Sequence, residues 1–464
     1  MKTYQARLSS VILMVALAGL VGIPTYAQTE RSNQPTQNAG APLQAIALSA
    51  QEAVDYAMKN SQTVRNALID VQLQQQTNRE ITSQALPQIT GSLNVTKYVD
   101  LPTQLIPAEF FGGPAGTFIP VQFGTEYNGT YGVNIEQVLF DGQVFVGLQA
   151  REASIDYANA NVNVTKELIK TNVLKIYYQL VVGQRQITTL DANIARTEKL
   201  LHDTKALYEN GFAEKLDVDK VSVNLSNLRT EKTRLENQLR TGYIGLKFLM
   251  GMPVRTPLTL TDTLSDEMVK DNLLFDTIRY EDRKEYQLLQ SVEKLNKFDI
   301  KRHQFTYIPR ISLTGNYSRN AQRDKFNFFK KGEDWFTITY IGLQINVPIF
   351  DGFAKASRVR SARLNLQQTQ NRLENLRNQI DMEVDSALIS IRNAIATLDL
   401  QRQNMELAME VYNQTKIKYE NGLGSTLEIT NAEADLRTAQ NNYYAALYDA
   451  VVARIDYLKA AGKL

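Results

Sequence analysis

Residues 127–142 read Tyr-Asn-Gly-Thr-Tyr-Gly-Val-Asn-Ile-Glu-Gln-Val-Leu-Phe-Asp-Gly, and the hydrophobic period changes inside this stretch. From Tyr127 to Gln137 it is two: Tyr127, Gly129, Tyr131, Val133 and Ile135 fall on one face, Asn128, Thr130, Asn134 and Glu136 on the other. That alternation is the mark of a strand with one apolar face. Beyond Phe140-Asp141-Gly142 no proline occurs up to Asn210, and the chain reads as one long helix. A strand running directly into so long a helix decides the fold class, and the same junction occurs a second time.

Leu139-Phe140-Asp141-Gly142 recurs as Ile349-Phe350-Asp351-Gly352, Leu86-Pro87-Gln88-Ile89-Thr90 as Ile308-Pro309-Arg310-Ile311-Ser312, and Tyr208-Glu209-Asn210-Gly211 as Tyr419-Glu420-Asn421-Gly422. Three landmarks kept in order describe a tandem duplication. The divisions expected are a first repeat at 49–252, a seam at 253–275 carrying Pro253 and Pro257, and a second repeat at 276–464. Strands of about ten residues are predicted from Gln88 to Val99, at 127–137, from Ile311 to Ser318 and from Ile341 to Val347. Half-buried strands of soluble proteins alternate in the same way. The length, however, matches a membrane-spanning strand of about 9–11 residues. Tyr98, Tyr127, Tyr317, Trp335 and Tyr340 are predicted to gather at one set of strand ends, as interfacial aromatics do.

The helical stretches are unusually long. Gly352 to Asn421 is again free of proline, and Leu373, Leu376, Ile380, Val384, Leu388, Ile391, Ile395 and Leu398 recur at steps of three and four, as in a coiled-coil seam. About 65–70 residues at 1.5 Å each reach roughly 100 Å. Asn-Gly turns then reverse the chain into helices predicted at about Ala213 to Met250 and Ser425 to Lys459. Further helices are predicted from Ala50 to Ala85 and from Phe275 to Phe305, stopping before Pro87 and Pro309 because a residue preceding proline avoids the helical region.

The remaining composition narrows the function. Among 464 residues there are 51 Lys and Arg, 49 Asp and Glu, two His and no Cys. Disulfides, thiolate metal sites and thiol catalysis are excluded, and the near-neutral balance gives no electrostatic reason for a nucleic-acid partner. His202 and His303 are too far apart in sequence to suggest a metal site or a catalytic triad and read as solvated surface residues. The mean hydropathy of −0.30 argues against a bundle of membrane-spanning helices. The start of the chain reads as a secretory signal over 1–27: Lys2 and Arg7, an apolar run from Val11 to Ile23, then small residues before a cut after Ala27. Residues 28–48 read as a leader, with 28–42 rich in Gln, Asn, Thr and Pro.

Four strands cannot close a barrel, and an open sheet edge in lipid leaves backbone groups without partners. The chain is therefore expected to oligomerise. A dimer supplies eight strands and a filled interior; a trimer supplies twelve and leaves a lumen.

With its duplicated helix–strand–strand–helix–helix unit, its Phe-Asp-Gly motifs and its Tyr-x-x-Gly turns followed by Leu216-Asp217-Val218 and Leu427-Glu428-Ile429, the sequence resembles the TolC-type outer-membrane efflux and secretion proteins from about residue 49 to residue 460. The resemblance implies an α+β membrane protein. It would be a homotrimer with a twelve-stranded barrel in outer-membrane lipid and a tunnel of long periplasmic helices. It also implies a periplasmic adaptor and an inner-membrane pump as partners, no cofactor, and a passive duct with no enzymatic activity. An exported periplasmic coiled-coil structural or adaptor protein is the alternative, and it leaves the four alternating strands unexplained. An envelope enzyme lacks any convergent set of acid, base, nucleophile or metal ligands.

Two groups of residues carry the functional expectations. By likeness to the family, Glu428 and its counterpart Asp217 sit where acidic rings narrow the periplasmic end, with Asn431 at the position of a second ring. A ring of carboxylates around a symmetry axis attracts cations; the plainer reading is an acid in a helix's first turn, favourable with the dipole. The turns Asn210, Gly211, Phe212, Ala213 and Asn421, Gly422, Leu423, Gly424 are where the family meets its adaptor, although they also serve simply to end helices. Arg358, Arg360 and Arg363 read as a solvated or headgroup-facing stripe, and the loop from Asp100 to Glu126 is expected at the extracellular mouth.

Overall fold

In the computed structural model the described residues are 45–264, 266–270 and 279–464. The signal at 1–27 and the leader up to residue 44 lie outside them, as do residue 265 and residues 271–278 of the seam. The first repeat begins with α1 (Ala50–Asn60) and α2 (Gln62–Ser83) and continues through strands β1 (Gln88–Lys97), β2 (Thr103–Pro107), β3 (Phe118–Gln122) and β4 (Tyr127–Phe140). It ends with α3 (Gly142–Glu209) and α4 (Lys215–Met250). The second consists of α5 (Lys284–Gln304), β5 (Arg310–Arg323), β6 (Phe336–Asn346), α6 (Ala354–Glu420) and α7 (Thr426–Ala460). With 68 and 67 residues, α3 and α6 each run for roughly 100 Å.

The main sheet has the order β1-β4-β5-β6, antiparallel throughout. Each repeat supplies one hairpin, and β4 joins the two by pairing with β5, Val133 opposite Tyr317. β1 and β6 are left as edges, so the barrel is not closed within one chain. The registers put Leu93, Tyr131 and Arg319 on one face, and Asn94, Thr130 and Asn320 on the other. Ile89, Leu93, Val95, Val133, Ile135 and Leu313 of the apolar face are exposed. On the polar face Asn316 donates to Asn134 at 2.5 Å and Asn320 to Thr130 at 2.8 Å. β2 and β3 form a separate two-stranded arm beyond the β1–β4 end.

Several expectations require correction. The strand-to-helix step is direct only in the first repeat, where Asp141 caps α3 by accepting from the Gln143 N–H at 2.8 Å. In the second, β6 ends at Asn346 and Val347 to Phe353 intervene. Pro348 has no N–H for a ladder, and Gly352 and Phe353 both take positive φ before α6 begins. Tyr98, Tyr127 and Trp335 stand at strand ends, but Tyr317 and Tyr340 lie within the ladders opposite Thr339 and Asn316. The helix from Ala50 is interrupted at Ser61, which is extended with ψ 128°. The breaks before the prolines come early: α2 stops at Ser83 and α5 at Gln304, and Ile308 is extended ahead of Pro309. The returning helices start at Lys215 and Thr426, and α5 at Lys284.

The expected seam residues Leu373, Ile380, Ile391 and Leu398 are buried, with Leu373 and Ile380 packed around Tyr286 of α5. Helices α3 and α4 pair, α6 and α7 pair, and α3 also lies against α7, joining the repeats. At the middle of the bundle the seam is tied down. The Thr261 N–H donates to Leu48 O at 3.1 Å, and the Ala50 N–H to Asp262 Oδ2 at 2.9 Å. The buried Tyr177 hydroxyl donates to Leu48 O at 2.9 Å, and burial pushes its pKa up to about 12.

Candidate functional site

The far ends of the long helices repeat one geometry. In each, an asparagine folds back on the last turn: Asn210 Nδ2 donates to Ala206 O at 2.7 Å, and Asn421 Nδ2 to Ile417 O at 2.8 Å. Gly211 and Gly422 follow with φ of 79° and 71°, values that glycine adopts without a side-chain penalty. The next residues close the motif, Phe212 N–H to Leu207 O at 2.8 Å and Leu423 N–H to Lys418 O at 2.9 Å. In this type of cap the residue after glycine usually packs its side chain back on the helix. Here Phe212 is 81% exposed and Leu423 78%. Both tips therefore present an apolar side chain to the surroundings, while Ala213 and Gly424 are half-buried.

The carboxylates singled out in the sequence occupy different situations. Asp217 stands in the first turn of α4, where its Oδ2 accepts from the Glu214 N–H at 3.3 Å. Glu428 is exposed in the first turn of α7, its own N–H donating to Ser425 Oγ at 3.2 Å and its carboxylate 3.9 Å from Lys418 Nζ. Asn431, one turn on, is exposed as well. A spacing of three residues puts Glu428 and Asn431 on one face of α7.

Just beyond them lies a group that sequence reading missed. Ile429, Ala432 and Leu436 of α7 are buried against Leu200 of α3, Val221 of α4 and Tyr412 of α6. Glu433 lies beside this stripe, 5% exposed. It accepts from the Thr197 hydroxyl of α3 and from Asn224 Nδ2 of α4 at 3.0 Å. Arg437 donates to Asn224 Oδ1 at 3.3 Å, and Asn193 Nδ2 to Gln440 Oε1 at 2.8 Å. Burial raises the Glu433 carboxyl above the usual carboxylate range, although Thr197, Arg196, Arg437 and Asn224 oppose the rise. The polar seam thus pins α7 of the second repeat to α3 and α4 of the first. Its signal in the sequence is Glu433 and Gln440 at helical spacing, one within the Ile429–Leu436 stripe and one a turn past its end.

Arg283 is a second buried charge, reaching Glu383 at 2.8 Å, Glu285 at 3.4 Å and Ala460 O at 3.1 Å. Among the described residues no group of three or more His, Asp or Glu converges as a metal site does, and no helix is long and apolar enough to cross a membrane. Among the described residues, the exposed apolar face of the sheet is a surface suited to lipid.

Comparison with known proteins bears on this architecture. The family described as Outer membrane efflux protein matches residues 53–252 and 296–463. The outer membrane protein TolC of Vibrio cholerae is 20% identical over 347 residues, 72% of this chain and 76% of that protein. The outer membrane efflux protein BepC of Brucella suis is 22% identical over 423 residues, 88% and 84% of the two chains. With the proteases secretion protein PrtF of Dickeya chrysanthemi the match, at 21% identity, spans 62% of each chain. Among solved structures, the outer membrane protein VceC of Vibrio cholerae superposes with a TM-score of 0.69 at 16% identity, over 89% of this chain and 96% of its own. CusC gives 0.72 at 16% identity, over 92% and 95%. These likenesses agree with the duplicated helix–strand–helix architecture, and the chain belongs to the outer membrane efflux protein family.

Proposed function

We propose that the chain is the outer-membrane channel component of a tripartite efflux or type I secretion system. It acts as a passive homotrimeric exit duct that docks to a periplasmic adaptor and an inner-membrane transporter. The observation that carries this reading is the sheet of four strands with two bare edges, β1 and β6. Three copies of four strands make the twelve-stranded barrel that lipid requires and leave a lumen. A second support lies on α6, where Met382, Ile389, Leu400 and Leu407 are exposed. Their steps of seven, eleven and seven residues keep them on one helix face, as a stripe that another helix covers. The relatives include the outer membrane protein TolC, the outer membrane efflux protein BepC and the proteases secretion protein PrtF, which supports an efflux or secretion role. In this reading the chain has no catalytic step and no cofactor.

Within the duct, Glu428 forms a ring of three carboxylates at the periplasmic constriction, with Asn431 as a neutral ring one turn on and Asp217 as the counterpart in the first repeat. The tips at 210–213 and 421–424 are the docking turns, with Phe212 and Leu423 as their apolar contacts. Phe140-Asp141-Gly142, Phe350-Asp351-Gly352, Pro87 and Pro309 mark the passages between barrel and tunnel. The repeats divide at 49–252 and 276–464, joined through 253–275, after a cleaved signal at 1–27 and a leader at 28–48. The test is to reconstitute the purified protein in a planar bilayer. A trimer with Glu428→Ala should conduct more than the parent and be blocked less by multivalent cations. Unchanged conductance removes the gate, and a monomer without channels removes the duct.

A further inference from the structure

The loop between β5 and β6 folds back over the apolar face of the sheet, at the end remote from the long helices. A Cβ on Gly129 would lie 2.7 Å from the ring of Phe328. In the strand's alternation Gly129 belongs with Tyr131, Val133 and Ile135, so the buried Phe328 is seated on the apolar side. Phe326 contacts Tyr127 at 6.0 Å between ring centroids, and Trp335 contacts Tyr131 at 4.8 Å. The loop is internally fastened: Arg323 pairs with Glu333 at 3.2 Å, Asn327 Nδ2 donates to Glu333 at 3.0 Å, and the Lys330 N–H donates to Asn327 O at 3.0 Å.

What this folded loop presents is Phe329, 88% exposed, followed by the exposed Lys330 and Lys331, with Lys325 also exposed. Among the described residues none of these lysines lies within 4.0 Å of a carboxylate. Asp324 and Asp334 stand at the loop's two ends, beside Arg323 and Trp335, and among the described residues neither lies within 4.0 Å of these lysines. On the same face Arg319 donates to Trp335 O at 3.2 Å and to the Tyr131 hydroxyl at 3.5 Å. Cationic groups in excess of their acceptors, beside aromatics at the rim of a lipid-facing surface, suit one occupant: an amphiphile whose acyl chains pack on the aromatics and whose phosphate meets the ammonium groups.

We infer that residues 325–331 bind a phosphate-bearing lipid of the outer leaflet, with Lys325, Lys330 and Lys331 on the phosphate and Phe329 among the acyl chains. This rests on the outer-membrane reading of the sheet. The test uses the full chain in nanodiscs of neutral phosphatidylcholine, with retention of added bis-phosphorylated lipid A measured by native mass spectrometry. Dephosphorylated lipid A and inorganic phosphate serve as separate probes. A lysine near an anionic lipid surface is worth roughly fivefold in affinity, so the triple change Lys325→Ala, Lys330→Ala, Lys331→Ala is expected to weaken lipid A binding about a hundredfold. Phe329→Ser is expected to weaken it with the trimer and its conductance intact. The dephosphorylated lipid should bind as weakly as the triple variant, and inorganic phosphate should not compete. Unaltered binding by the triple variant, or equal binding of the dephosphorylated lipid, overturns the proposal. Competition by inorganic phosphate reassigns the loop to free phosphate, and loss of the trimer on Phe329→Ser makes it a contact between copies; either refutes the lipid site. A protein that conducts but retains no lipid A sinks this inference alone, whereas one that forms no channel sinks the duct reading.

Discussion

Two glycines six residues apart, Gly245 within α4 and Gly251 capping it, should respond oppositely to the same substitution. Gly251 ends α4 with φ 73° and lies where α1 meets α2: a Cβ there would be 2.2 Å from Asn60 O and 2.7 Å from Asn60 C. These are backbone atoms beside the buried Ser61, at the interruption between the two helices, and they cannot swing aside as a side-chain end can. An L side chain in the left-handed region costs about 1–2 kcal/mol, and overpacking against fixed atoms a further 1–3 kcal/mol or so. Gly251→Ala should therefore destabilise by about 2–5 kcal/mol. Gly245 lies in the interior of the same helix with nothing within 4 Å of an added Cβ. There the change removes glycine's extra unfolded-state entropy and should stabilise by about 0.5–1 kcal/mol. Thermal unfolding followed by far-ultraviolet circular dichroism measures both. The apparent midpoint is expected to fall for Gly251→Ala and to hold or rise for Gly245→Ala. If Gly251→Ala melts with the parent, the close approach of Gly251 to Asn60 is not a constraint and the account of the Ser61 break is wrong.

The polar seam gives a pH prediction. Because burial raises the folded-state pKa of Glu433, its contribution is fully present below the ordinary carboxyl pKa and is lost as pH rises through the raised folded value. The midpoint should therefore rise on acidification within that window, and Glu433→Gln should flatten the dependence; a profile that keeps its slope in the variant refutes the assignment. Ile391→Ala empties a site that is 1% exposed within the α6 stripe, and denaturation should show a loss of about 2–5 kcal/mol. Arg283→Met removes the donor to Ala460 O and to Glu383 Oε2, leaving Glu383 with Gln379 on its other oxygen. Since the glutamates are partly solvated the cost should be about 1–3 kcal/mol, seen as faster proteolysis at the C-terminal end of α7. On the proposed duct reading, Phe212→Ser together with Leu423→Ser should leave oligomeric state and conductance unchanged while reducing crosslinking to a periplasmic adaptor; undiminished crosslinking argues against the tips as docking turns.

The amino-acid sequence by itself determined what depends on local periodicity. Alternation from Gln88 to Val99 and from Tyr127 to Gln137 marked strands with one apolar face, three- and four-residue steps marked the α6 stripe, and the recurring landmarks exposed the duplication. The tip turns were legible because an Asn-Gly pair ending a helix is a matter of a few adjacent residues. What only the tertiary structure decided involves partners distant in the chain. Nothing in either repeat states that β4 pairs with β5 or that their hairpins lie side by side, since a strand's alternation fixes its faces and not its neighbour. The break at Ser61 has no proline to announce it; it arises where Gly251 closes on Asn60 from nearly two hundred residues away. Glu433 looks like one more helical acid until α3 and α4 cover it, because burial depends on what packs against a side chain and not on its own sequence surroundings. The early end of β6 and the folding of Phe328 onto Gly129 are of the same kind: a missing ladder donor at Pro348 and a missing Cβ at Gly129 permit them, and the surrounding chain then settles the geometry.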